Sequence, residues 1–218
     1  MAGTTVDDVV DGTPLVIAAF RAAFRAHGGV EVSFEQANAV RGYEKKEALR
    51  RLVCSTRGIS EDIVEASEVD ALYAAFKVEL DNLTNALNSE IVGTTATFSE
   101  LQRRGIKVCV GSGFPDSTVQ TIVKNMGWKV DAAFSSEALG AGRPDPVMVF
   151  AAMEHCGIKD VSKVVKVGDT AVDVEEGRNA GVLTVSVLTG TQSQEKLEAC
   201  GPDYIIDSVA DFPKLLVS

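Results

Sequence analysis

Residues 164–173, Val-Val-Lys-Val-Gly-Asp-Thr-Ala-Val-Asp, decide the fold. The valine-rich run Val164 to Val167 predicts a strand buried on both faces. Gly168-Asp169-Thr170 then turns the chain, and Val174 to Ala180 predicts a helix stopped by Gly181. Val182 to Val187 predicts the next strand. A strand, a helix and a strand in so short a span form a parallel crossover unit, so the sheet is parallel and carries helices on both faces.

The same alternation extends outward from this stretch. A short helix closing at Arg103-Arg104-Gly105 leads into a strand from Ile106 to Val110. Asp116 to Asn125 is a helix halted at Gly127, Val130 to Phe134 a short strand, and Val147 to His155 a helix halted at Gly157. Downstream, Tyr204 to Ile206 and a helix from Asp211 to Leu216 complete the pattern. Residues 11–90 have a different texture, with no strand-like run. Leu15 to Phe24 is apolar and ends at Gly28-Gly29, and Ser33 with Gln36 makes a capping box. Lys45 to Val53 carries Ala48, Leu49, Leu52 and Val53 on one face, and Asp70 to Leu87 reads as a long amphipathic helix. The expected architecture is α/β, a Rossmann-like parallel-sheet core of residues 1–10 and 91–218 with an all-helical domain of residues 11–90 inserted into it.

Composition excludes several functions. The 218 residues carry 21 Lys+Arg against 31 Asp+Glu, a formal charge of −10 that disfavours nucleic acid or a membrane surface as partner. No run of about 18 apolar residues is available to span a bilayer. Cys54, Cys109, Cys156 and Cys200 are scattered without a CxxC pair, and Cys109, inside an apolar run, reads as a buried free thiol. His27 and His155 are isolated too, so neither a zinc site nor a disulfide framework is expected. A reducing, cytoplasmic setting fits, and no signal peptide of the usual form opens the sequence.

Ligands of an open parallel sheet bind beyond the carboxyl ends of its strands, and three such ends carry reactive groups. After Val110 come Gly111-Ser112-Gly113, where a hydroxyl and backbone amides suit a phosphate or simply start the next helix. Arg143, between Gly142 and Pro144-Asp145-Pro146, offers a guanidinium fork on a stiffened segment. Asp169 and Asp173, four apart at a strand end and helix start, can face one pocket. Two carboxylates there suit a hard cation such as Mg²⁺, although aspartates also cap helices.

In this order, with a helical block ahead of them, these elements resemble the haloacid dehalogenase superfamily across essentially the whole chain. Met1-Ala2-Gly3-Thr4-Thr5-Val6-Asp7 is similar to the opening of its phosphonatase-like branch, D-M-A-G-T-T-V-D, and Gly142-Arg143-Pro144 to that branch's arginine motif. The resemblance implies an Mg²⁺-dependent hydrolase of a small phosphorylated or phosphonate metabolite, acting through an aspartyl-phosphate. Ser112 and Gly113 would hold phosphate oxygens and Arg143 would neutralise charge. The Ala2 carbonyl and Asp169 would ligate the metal, and Asp173 would orient Arg143 or a metal-bound water. Residues 11–90 would be the cap, with Lys45 placed to form a Schiff base and Lys46 to lower its pKa, unless both lysines belong to a solvated helix face. The position three beyond that lysine, a histidine in phosphonatases, is Ala48, which sets phosphate-ester hydrolysis beside carbon–phosphorus cleavage. The general acid of ordinary phosphatases falls at Ala2, which keeps carbon–phosphorus cleavage open despite Ala48. Caps of this branch also pair, which would use the apolar helix Leu15 to Phe24.

The branch places its nucleophilic aspartate immediately before the residue matched by Met1, after a central apolar strand flanked by the strands ending at Val110 and Val167. Neither is among the 218 residues. The 218-residue polypeptide is therefore expected to be inactive alone, through an internal methionine taken as the start or as a silent paralogue that keeps the acidic pocket for binding. A dinucleotide-binding domain has no GxGxxG to support it.

Overall fold

The computed structural model describes residues 1–85 and 87–216 and divides into two units, Met1–Asp7 with Asn88–Ser218, and Asp8–Leu87. Ser218, with its neighbour at 217, closes the expected core range but lies outside the described residues.

The Asp8–Leu87 unit opens with strands β1 (Val9–Val10) and β2 (Thr13–Pro14), paired antiparallel. This small hairpin corrects the expectation of an uninterrupted helical block. Its cause is the Asp11-Gly12 turn, where φ values of 49° and 75° match the twist of two-residue hairpins. Four helices follow: α1 (Leu15–Gly28), α2 (Phe34–Ala39), α3 (Lys45–Arg57) and α4 (Ala66–Thr84). Gly29 ends α1 in the left-handed conformation, and Ser33 and Gln36 form the reciprocal capping box that starts α2. Val69, Leu72, Tyr73, Phe76 and Leu80 line one face of α4, and Phe76 stacks on Phe20 of α1 with ring centroids 4.9 Å apart. Leu15, Ile17 and Phe20 are fully buried, so the apolar residues of α1 belong to the interior. Helix α4 ends at Thr84, whose hydroxyl donates back to the Leu80 carbonyl; of the longer helix expected to Leu87, Ala86 lies outside the described residues.

In the other unit, α5 (Thr94–Arg103) precedes β3 (Cys109–Ser112), α6 (Asp116–Met126), β4 (Ala132–Ser135) and α7 (Ser136–Leu139). Then come α8 (Val147–Cys156), β5 (Val165–Gly168), α9 (Ala171–Ala180) and β6 (Leu183–Val187). Last are α10 (Gln194–Cys200), β7 (Tyr204–Ile206) and α11 (Phe212–Leu215). Strand β3 starts later than Ile106 because Asp131 engages the approach to it, accepting from the Val108 amide at 2.8 Å and the Lys107 ammonium at 2.9 Å. The sequence expectation omitted α7 and α10, each capped by a serine, Ser135 and Ser193.

All strand pairs of this unit are parallel, as expected for an α/β fold, but they form two sheets, β3-β4 and β5-β6-β7. Between β3 and β5 lies a cavity of about 470 Å³ whose walls include Val110 and Gly111 on one side and Val165 and Val167 on the other. Met148, Met153, Phe98 and Phe212 are also in its lining.

Candidate active site

Asp169 follows directly on β5, and the first residues of the chain close over it. The Thr4 hydroxyl donates to its Oδ1 at 2.7 Å. A Cβ on Gly3 would lie 2.4 Å from Asp169 Oδ2, and one on Gly190 only 2.1 Å from it, so the carboxylate rests in a cradle that only backbone without a side chain can form. Gly3 has φ +78°, a conformation that itself favours glycine, and its carbonyl accepts from the Thr189 hydroxyl at 2.6 Å. The Met1 carbonyl accepts from the amides of Thr4, Thr5 and Val6, which curls residues 1–6 into a tight turn.

Asp173 has a different environment. Its Oδ2 accepts from the amide and hydroxyl of Thr170, closing a capping box that starts α9 three residues before the helix expected from the sequence. Its Oδ1 faces two cations, Arg143 Nη1 and Lys166 Nζ, the latter at 3.2 Å. Lys166 also pairs with Glu176, which is fully buried one turn further along α9. Burial alone would raise the Asp173 carboxyl, but Arg143, Lys166 and the Thr170 hydroxyl hold it well below the usual carboxylate range.

Arg143 is nine-tenths buried, and its Nε–H has no acceptor among the described residues. A buried donor on a charged group without an acceptor is costly to leave unmade. Nη1 is held by Asp173, so the guanidinium is fixed in place with a donor unspent. That combination suits an anionic oxygen.

The structure thus brings Arg143, Asp169, Asp173 and the Met1–Thr4 turn into one cluster. Ser112 ends β3 nearly buried, its Oγ accepting from the Phe114 amide at 3.2 Å, and its neighbour Gly111 shares the cavity wall with Met1, Thr4 and Asp173. Gly113 follows it in the turn before α6. Lys45 stands in the other unit as the first residue of α3, 4% exposed, its Nζ donating to the Tyr43 carbonyl at 2.9 Å. Lys46 points elsewhere, pairing with Asp70 at 2.7 Å, because successive helical residues face different directions. The two lysines therefore do not share a solvated face: one is buried and the other exposed. Ala48 is buried in the same helix.

Sequence reasoning missed Lys166, Glu176 and Gly190, and it quoted Thr4 in the opening motif without assigning it a partner. Lys166 had a signal, a lone charge inside a run of valines, and Glu176 another, since it sits three residues after Asp173 on one helix face. Gly190 carried none.

Asp169 and the Ala2 carbonyl are hard oxygen donors of the kind Mg²⁺ takes alongside water and substrate phosphate, and the tight glycine cradle around Asp169 fits a carboxylate kept for such a duty. Asp173, with both oxygens engaged, fits the orientation of Arg143 better than ligation.

The family model described as haloacid dehalogenase-like hydrolase matches residues 1–181. A phosphonoacetaldehyde hydrolase of Bordetella pertussis is 30% identical over 249 residues, covering 99% of this chain and 88% of that protein. Another, from Parabacteroides distasonis, is 25% identical over 97% of this chain and 91% of its own length. A crystal structure of a phosphonoacetaldehyde hydrolase like protein from Oleispira antarctica superposes with a TM-score of 0.84 at 25% identity, covering 99% of this chain and 88% of that one. No helix among the described residues is long and apolar enough to cross a membrane.

Proposed function

This chain belongs to the haloacid dehalogenase-like hydrolase family, and from that premise we propose that it serves the Mg²⁺-dependent hydrolysis of a small phosphonate or phosphorylated metabolite. The observation that carries this reading is Arg143, buried, clamped by Asp173 and left with a donor that no described residue accepts. Its remaining N–H groups bind a phosphoryl oxygen, and Ser112 with the backbone of Gly113 takes another. Asp169 and the Ala2 carbonyl would hold Mg²⁺, which when bound supplies charge to the phosphoryl oxygens. Asp173 and Lys166 keep Arg143 charged and oriented.

The helical unit acts as the cap. Lys45 is the group that would condense with an aldehyde substrate, releasing water and turning the later carbanion into an enamine. Ala2 stands where an alcohol leaving group would need an acid, and the enamine route needs no such acid, which keeps the phosphonate open beside the phosphate ester despite Ala48. In the branch this chain resembles, the attacking carboxylate is an aspartate at the place immediately before the residue matched by Met1, after an apolar strand, and the proposed reaction would need that group.

The test supplies that strand and aspartate as a fusion to Met1. Mg²⁺-dependent phosphate release from phosphonoacetaldehyde or a generic phosphomonoester is expected, with a borohydride-trapped adduct at Lys45 if the aldehyde is the substrate. A correctly folded fusion that turns over neither would instead favour a silent binding protein.

A further inference from the structure

Cys109 and Cys156 lie 47 residues apart in sequence, yet their Sγ atoms stand 3.6 Å from one another. Cys109 is the first residue of β3 and Cys156 the last of α8, and both are half-buried. Cys109 opens β3 and Ser112 closes it, so the pair sits at the end of the strand away from the candidate active site. Cys200 is arranged differently, its thiol donating to the Lys196 carbonyl one turn back along α10. Cys54 belongs to the helical unit, in α3.

One residue, Asp131, holds the neighbours of both thiols. Its carboxylate accepts from the Val108 amide at 2.8 Å and its own amide donates to the Val108 carbonyl at 2.8 Å, which fixes the residue before Cys109. The Asp131 carbonyl lies 3.1 Å from Nε2 of His155, the residue before Cys156. The His155 ring also meets Phe134 of β4 edge-on, with centroids 6.2 Å apart, which seats the end of α8 on that strand. Two thiols fixed side by side have a high effective concentration for one another. Lys107 pairs with Asp131 at 2.9 Å and also interacts electrostatically with Cys156 and Cys109, so a cation stands near both sulfurs. A nearby cation favours the thiolate, the form that attacks a disulfide. Burial and then the neighbouring Cys156 push the Cys109 thiol up to about 12, which keeps it protonated until Cys156 has reacted.

We propose that Cys109 and Cys156 form an oxidisable dithiol, which a low-molecular-weight disulfide such as oxidised glutathione converts reversibly into an intramolecular disulfide. The Cys156 thiolate, its proton released to solvent, attacks one sulfur of the small disulfide, forming a mixed disulfide and expelling one small thiolate. Cys109 then gives its proton to that thiolate and attacks Cys156 Sγ, breaking the mixed bond and expelling the second. Two protein thiols are oxidised, one small disulfide is reduced to two thiols, and an excess of reduced thiol runs the steps backward. A disulfide sets its sulfurs about 2.05 Å apart, so the two Sγ atoms must close by about 1.5 Å, within the sweep of χ1 rotation. The cross-link closes a loop that spans α6, β4, α7 and α8, and loop closure restrains the unfolded chain. Oxidation thus stabilises the α/β unit without using any group of the proposed phosphoryl site.

The test equilibrates the whole reduced 218-residue chain at neutral pH with glutathione mixtures of increasing oxidation, then alkylates free thiols and maps peptides by mass spectrometry. A peptide pair joined through Cys109 and Cys156 is expected, two hydrogens lighter than its reduced parts, with Cys54 and Cys200 recovered alkylated. Half-oxidation of the pair should need at least about tenfold less oxidised glutathione than mixed-disulfide formation at Cys54 or Cys200. The melting temperature should rise by about 5 °C or more on oxidation and fall back with dithiothreitol. Cys156→Ser should give neither cross-link nor rise, and Cys200→Ser should behave as the wild type. Should Cys156→Ser not fold, Cys109→Ala makes the same comparison. The proposal is overturned if the folded chain yields no Cys109–Cys156 peptide, if Cys54 or Cys200 is oxidised as readily, or if oxidised and reduced protein melt together. None of these readouts involves phosphate or turnover, so the test stands whether or not the catalytic reading does.

Discussion

Each of the two units contains a buried arginine–aspartate pair, and the two behave differently. In the helical unit Arg41 Nη2 reaches both oxygens of Asp8, at 2.9 and 3.0 Å, with both side chains 4% exposed. In the α/β unit Arg143 meets Asp173 at similar burial. Yet burial leaves Asp8 above its ordinary pKa in spite of Arg41, whereas Asp173 is held well below. The difference lies in the surroundings. Asp8 has one arginine to offset desolvation; Asp173 has Arg143, Lys166 and the Thr170 hydroxyl together. One guanidinium roughly balances the transfer of a carboxylate out of water, and a second cation with neutral donors tips it decisively. The first arrangement ties the residue before the β1–β2 hairpin to the connection between α2 and α3. The second holds charged groups at the strand ends, as the proposed phosphoryl site would require.

The comparison can be broken most severely by neutralising each aspartate. Asp173→Asn should lower unfolding free energy in urea by about 3–5 kcal/mol at neutral pH, because it strands two buried cations. Asp8→Asn should lower it by only about 1–2 kcal/mol, since the amide keeps a hydrogen-bond acceptor for Arg41. Equal losses, or the reverse order, would mean the two pairs are equivalent after all.

Acidity sharpens the contrast further. An unfolded aspartate titrates near about 3.9. Asp173, depressed in the folded state, contributes stability that is present above that value and is lost as the pH falls through its folded pKa. Asp8, raised, contributes stability that is complete below that value and is lost as the pH rises through its folded pKa. Carboxyl-carbon NMR titration should therefore place the two midpoints on opposite sides of about 3.9; finding both on one side contradicts the assignment.

Smaller effects separate the units sterically. Gly190→Ala pushes a methyl into the Asp169 carboxylate and should destabilise by about 1–3 kcal/mol, with chemical-shift changes centred on Asp169. Ser33→Ala removes the hydroxyl that caps α2 and should lower stability by about 1 kcal/mol, with NMR shifts confined to the helical unit. Shift changes from Ser33→Ala at Asp169 would show the units to be coupled.

Local signals were legible in the amino-acid sequence and distant ones were not. The capping box at Ser33, the glycine stop at Gly29 and the strand at Val165–Val167 each depend on neighbours within four residues. The pairing of Asp173 with Arg143 was anticipated only through the resemblance, since the two are 30 residues apart. The Asp169 contact with Thr4 spans 165 residues, and no periodicity marks it. The cysteines teach the same lesson: scattered along the chain, Cys109 and Cys156 nevertheless bring their sulfurs within 3.6 Å, and Cys109 is half-buried rather than buried, its thiol pushed up to about 12 by burial. The β1–β2 hairpin was missed although Asp11-Gly12 is a strong local turn signal, because the flanking strands are only two residues each.

In the proposed function Arg143 and Asp169 together form one phosphoryl site, distinct in kind from the Asp8–Arg41 pair. Isothermal titration of inorganic phosphate into the 218-residue chain with Mg²⁺ present tests it directly. Binding is predicted for the wild-type chain and for Asp8→Asn, and its loss for Arg143→Ala and for Asp169→Asn. Phosphate bound equally well by folded Arg143→Ala or Asp169→Asn would contradict the account.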